Sequence, residues 1–190
     1  MKFLFMFLAL CLFLVPFSLL AQRGPLRGSG KVVERSFDYK GFDKLTIKDL
    51  NGKIKIQTGR SFAVNIKIDD NLAPLLQASV ENGTLLISFK NNENNRMYIE
   101  DTHIELLITM PEVSVVQHRG NSDVAIDFGT GRYLRIDNDG NGDIVVKGKV
   151  DQFDLVNDGN GDIVATDLVT TIAEVEKFGN GDVFMNVSEK

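Results

Sequence analysis

Four aspartates, Asp123, Asp143, Asp162 and Asp182, each close a short glycine turn: Gly120-Asn121-Ser122-Asp123, Gly140-Asn141-Gly142-Asp143, Gly159-Asn160-Gly161-Asp162 and Gly179-Asn180-Gly181-Asp182. Recurrent carboxylates suit either a divalent cation or, when brought together in pairs, acid–base chemistry. The stretch Asp137-Asn138-Asp139-Gly140-Asn141-Gly142-Asp143-Ile144 resembles a calcium loop, with oxygen ligands at alternate positions, a glycine sixth and an aliphatic residue eighth. It fails where coordination needs it, because the twelfth position is Gly148 rather than a glutamate, and the flanks read as strands. Turn chemistry explains the motif better: glycine supplies positive φ, and the Asn and Asp side chains bond nearby backbone amides. No cofactor is expected. Calcium stays as the alternative for Asp143, Asp162 and Asp182, since stacked carboxylates about 4.8 Å apart repel by roughly 1 kcal/mol in water and must be offset.

The turns begin 20, 19 and 20 residues apart, a near-constant period that speaks for a repeated structural unit. Counting from the first glycine of each turn, Val116, Ile136, Leu155 and Val175 stand four before it, and Val124, Ile144, Ile163 and Val183 four after. These columns read as inward-facing strand positions, with Gln117, Asp137 and Glu176 among the outward ones. A polar column of His118, Asn138, Asn157 and Lys177 points inward near the turn, where stacked amides can bond to one another. Five after the glycine, Ala125, Val145, Val164 and Phe184 form an outward apolar stripe. Val145, Val164 and Phe184 are the candidate binding residues for a partner, a second copy or the N-terminal half.

Upstream, period-two runs such as Lys53-Ile54-Lys55-Ile56, Ala63-Val64-Asn65-Ile66-Lys67-Ile68 and Ile104-Glu105-Leu106-Leu107-Ile108 extend the strand pattern. The fold class is all-β. A single-domain β-solenoid with coils of about 20 residues is favoured over an antiparallel meander, because stacked counterparts favour like residues in register. A helical turn is expected between Asp69 and Leu76, kept short by Pro74, and Asn91–Asn95 reads as an exposed loop.

Catalysis finds little support. His103 and His118 have no nucleophile elbow, Cys/His pairing or metal-spaced cluster around them. The alternative of a carbohydrate-active enzyme on a β-helix rests on two carboxylates meeting away from the turn column.

Lys2, an apolar run from Phe3 to Ala21 and small Ala21 describe a signal peptide over residues 1–21, followed by a flexible leader over 22–30 and one domain over 31–190. The protein is therefore expected to be exported to the periplasm, cell surface or medium, with no stable membrane span after cleavage. Its one cysteine, Cys11, falls in the signal, so no disulfide supports the fold. From Gln22 onward 20 basic residues face 26 acidic ones, which argues against nucleic acid as a partner.

The chain resembles the bacterial family of auto-transporter adhesin head domains called head GIN domains, common in Bacteroidetes. The resemblance runs through Gly28-Ser29-Gly30-Lys31-Val32-Val33, Gly41-Phe42-Asp43-Lys44-Leu45, Asn82-Gly83-Thr84-Leu85, Met110-Pro111 and the Gly-Asn-Gly-Asp turns. It implies an exported β-solenoid-like module and carries no catalytic residues. The expected function is non-enzymatic binding of a protein or polysaccharide at the cell envelope, with self-association among the expected properties.

Overall fold

The computed structural model describes residues 25–90 and 99–186. The signal segment and the Asn91–Asn95 loop lie outside the described residues. Strands follow one another almost without interruption: β1 Leu26–Arg27, β2 Val32–Phe37, β3 Lys44–Lys48, β4 Lys53–Thr58, β5 Ala63–Asp69, β6 Leu76–Glu81, β7 Thr84–Phe89, β8 Ile99–Glu100, β9 Ile104–Met110, β10 Val115–Arg119, β11 Asp123–Asn138, β12 Ile144–Asn157, β13 Ile163–Lys177 and β14 Val183–Met185. Among the described residues the helical element is a single 3-10 turn, Ala73–Leu75, with Pro74 inside it. β1 pairs with β8, and the other strands join in one 12-stranded sheet.

That sheet is curled on itself. β11, β12 and β13 are long enough to turn a corner midway, so their first halves lie in one wall and their second halves in the other. At the corner Gly129 and Gly148 take φ of +68° and +132°, a conformation that other residues adopt only under strain. The first wall runs β2-β5-β9-β4 and on to the first halves of β11, β12 and β13, then β14. The second runs β6-β7-β3-β10 and on to the second halves of the same three strands. Side chains alternate along each strand, so Ile54, Ile56, Val124, Ile126, Ile144 and Ile163 meet Leu45, Ile47, Leu85, Leu134, Ile136 and Phe153 in one buried core.

The repeat columns are real neighbours. Val116 pairs in parallel with Ile136, Ile136 with Leu155 and Leu155 with Val175, while Val124, Ile144, Ile163 and Val183 line up likewise across the first wall. The segments immediately before and after a Gly-Asn-Gly-Asp turn, such as 134–138 and 144–146, pair in parallel with the adjacent passes and not with each other, so the Asn-Gly of these turns does not make a hairpin. Chain order and spatial order part company upstream: β7 lies beside β3 and β9 beside β4, both parallel, so the pass from β7 to β9 sits beneath the earlier pass from β3 to β4. Antiparallel β6, β5 and β2 finish that end.

Within the segment read as a leader, Leu26 and Arg27 pair with Ile99 and Glu100, and the Gly30 amide donates to buried Asp69 at 2.8 Å. The Ser29 hydroxyl reaches Asp70 at 2.7 Å.

The expectation of positive φ in the repeated turns is wrong. The positive-φ glycines are Gly30, Gly41, Gly83, Gly129 and Gly148, and none belongs to those turns. What the turns need is the absence of a side chain: a Cβ on Gly142 would lie 2.0 Å from the Ser122 oxygen, on Gly161 2.0 Å from that of Gly142, and on Gly181 2.0 Å from that of Gly161. Each turn rests directly on the backbone of the one before. Beneath Ser122 lies the turn Asp49–Gly52, in which Asp49 takes φ 59° and the Leu50 and Gly52 carbonyls accept the Asn121 and Asp123 amides.

Candidate functional site

Parallel register on the first wall turns single outward residues into rows that cross the whole sheet. The central row reads Ser36, Asn65, Leu107, Lys55, Ala125, Val145, Val164 and Phe184 from β2 to β14. Val145, Val164 and Phe184 are thus side-by-side neighbours. Beside this row runs a charged one, Glu34, Lys67, Glu105, Lys53 and Asp123, continued by Asp143, Asp162 and Asp182. Signs alternate in its first part, as cross-strand pairs prefer, and Lys67 Nζ meets Glu105 at 3.8 Å.

Where the row becomes acidic, backbone amides take over. The Asp143 amide donates to Asp123 Oδ1 at 3.2 Å, that of Asp162 to Asp143 at 2.9 Å and that of Asp182 to Asp162 at 2.8 Å. Lys177 Nζ closes the series on Asp182 at 2.9 Å. Each of these carboxylates so receives a donor. Outside them, Asn121, Asn141, Asn160 and Asn180 form an exposed ladder, each amide nitrogen donating to the oxygen of the preceding asparagine.

The inner polar column is a second ladder. His118 Nδ1 donates to Asn138 Oδ1 at 2.9 Å, and Asn138 Nδ2 donates to Asn157 Oδ1 at 2.9 Å. All three are fully buried, and burial pulls the His118 pKa below its ordinary value despite the bond to Asn138. Lys177 leaves the column for Asp182 and solvent. His103 is far more exposed, with its amide on Asp69 at 2.7 Å and its ring Nδ1 3.6 Å from the same carboxylate.

The central and charged rows border a groove of about 750 Å³ on the outer face, formed by β2, β5, β9, β4, β11 and β12. Leu107, Ala125 and Val145 give it apolar surface, Lys53, Lys55 and Lys67 its cations, and Glu34, Glu105, Asp123 and Asp143 its anions. Of the candidate residues read from the sequence, Val145 lines this groove, whereas Val164 and Phe184 continue its central row beyond the lining. Leu107 and Lys55 were not among the candidates. Leu107 does have a sequence signal, because Leu106-Leu107 breaks the in–out alternation of β9 and leaves a leucine on the outer face, 36% exposed. Lys55 has none, as alternating lysines also suit any solvated strand.

The fold is an all-β architecture in which regular parallel passes carry an accessible mixed groove. No helix among the described residues is long and apolar enough to cross a membrane. The chain belongs to the family described as "Putative auto-transporter adhesin, head GIN domain", whose model matches residues 41–190. Similar folds occur in a crystal structure titled a putative adhesin from Bacteroides fragilis, at 18% identity and TM-score 0.54, covering 85% of this chain and 100% of that one. A protein from Parabacteroides distasonis titled a putative lipid binding protein shares 18% identity at TM-score 0.55, over 86% of this chain and 100% of that one. A putative adhesin from Parabacteroides merdae matches at 13% identity and TM-score 0.51, over 84% and 83%. No curated protein matches the chain in sequence.

Proposed function

We propose that this protein is an exported, non-enzymatic envelope or surface module that holds an extended segment of a partner protein or a polysaccharide along the outer groove. In this reading the in-register passes are coils of a β-solenoid, and their role is to keep the rows of the first wall rigid. The observation that carries it is the Leu107, Lys55, Ala125 and Val145 row inside the groove: four adjacent strands present apolar surface and a cation at one level, bordered by charges of both signs. Such a mixed strip offers burial to an apolar face and hydrogen-bonding groups to a polar edge.

The acids in and beside the groove are read as structural. Glu34 and Glu105 stand on either side of Lys67 in the charged row, and the turn aspartates accept amides, so none is left as a free acid–base pair. The turn amides also offset the charge of the aspartate column without calcium. Melting the exported protein in millimolar calcium and in chelator should give the same midpoint; a calcium-dependent rise would restore the cation.

A glycan array and a peptide array probed with the exported protein test the binding reading, with any glycan hit then assayed for turnover. Val145→Lys and Leu107→Lys should each abolish binding while leaving the melting temperature within a few degrees of the parent. Retained binding in both variants would move the site elsewhere, and turnover would restore the glycosidase alternative.

A further inference from the structure

Among the described residues, the pass through β13 leaves a long strand edge uncovered. β12 pairs along the full length of β13, but on the other side β14 covers only Ile163–Ala165. Among the described residues, no strand lies against the outer edge of β13 from Asp167 to Lys177. The side chains there show the same interruption. Val175 occupies the column of Leu155, which is 1% exposed, yet Val175 is 42% exposed, and Ile172 beside it is 58% exposed. Of the eight exposed large hydrophobic residues in the described structure, five, namely Val169, Ile172, Val175, Phe178 and Phe184, fall in this final pass. An unpaired edge with an open core behind it is a template for another strand.

We propose that this edge is the interface between two copies of the chain, which pair their β13 strands antiparallel about a two-fold axis through Ile172. The sequence of the edge selects both partner and register. Pairing about Ile172 sets Ile172 against Ile172, Val169 against Val175, Thr171 against Ala173, Thr170 against Glu174 and Asp167 against Lys177. Leu168, itself buried, falls against Glu176, but the exposed Ile172, Val169 and Val175 then meet only one another, and the terminal charges are opposite, with no like charges facing each other. Centring one residue further along, on Ala173, puts Ile172 against Glu174 and Val169 against Lys177. Centring on Glu174 sets two glutamates face to face, and centring on Val175 opposes Glu174 and Glu176 twice. The two-fold contact is also closed, so it ends at a dimer.

The groove of the first wall plays no part in this contact, which permits separate tests. The exported protein, whose one cysteine, Cys11, is lost with the signal, should sediment as a concentration-dependent dimer. Adding Ile172→Lys places two lysines on the axis and should leave only monomer, with an unchanged circular dichroism spectrum. Val145→Lys, chosen to disable the groove, should leave the dimer intact. Under mild oxidation Ile172→Cys should cross-link to a dimer, because residues directly opposed in an antiparallel pair lie within disulfide reach. Glu174→Cys, whose two copies would sit four positions out of register, should not. A protein that stays monomeric at all concentrations, a dimer that survives Ile172→Lys, or equal cross-linking at positions 172 and 174 would each overturn the proposal.

Discussion

His118 shows how strongly one position constrains a residue. It heads a buried ladder, its Nδ1 is used by Asn138, and its Nε2 meets no protein partner among the described residues. Burial favours the neutral ring, so the folded pKa falls below the ordinary 6.5. The unfolded chain therefore takes up the proton first, and the stability associated with this histidine is present above about pH 6.5 and lost as pH falls below it. His118→Asn, which continues the asparagine series, should flatten that part of the stability curve in urea titrations between pH 7 and pH 5. The glycines of the turns are constrained by proximity in the same way. Gly161→Ala should cost about 1–3 kcal/mol by forcing the turn off the Gly142 backbone, whereas Ser122→Gly should change stability by under about 0.5 kcal/mol. Thermal melts of both variants check this contrast.

At the scale of the strand and turn, the two ladders differ in burial and so in worth. Asn157→Ala strands the buried Asn138 amide and should destabilise by about 1–3 kcal/mol, while Asn160→Ala in the exposed ladder should cost less than about 1 kcal/mol, because water replaces the lost bond. Strand positions and inward columns were legible in the sequence because parallel register demands like residues one pass apart; Val116, Ile136 and Leu155 show it plainly. The inward polar column was legible for the same reason. The reason for the turn glycines was not, since positive φ and close backbone approach both exclude a side chain and leave the same letter in the sequence. Nor was the groove, whose N-terminal half comes from β4, β5 and β9. Those strands lack the period of the later passes, and their order beside β11 is a matter of topology that no spacing records.

For the molecule as a whole, stability should be graded along the stack. The central passes through β4, β11 and β12 are paired on both sides and cover a continuous core, whereas the edge of β13 and the short β14 are paired on one side. Native-state hydrogen exchange should therefore be slowest in residues 124–127 and 144–146 and fastest in 183–185. Uniform protection from one end to the other would show that the passes unfold as a single unit. Nearly every strand pairing joins residues distant in sequence, and folding should accordingly be slow, on the order of milliseconds to seconds. The inverted placement of the β7–β9 pass has a consequence for a polypeptide delivered N-terminus first from a ribosome or a secretion channel. β3 finds its first neighbour only when Thr84 has emerged and β4 only when Ile104 has, so most of the future core has nothing to dock on during early synthesis. A chain wired in this way remains threadable until more than half of it has been made.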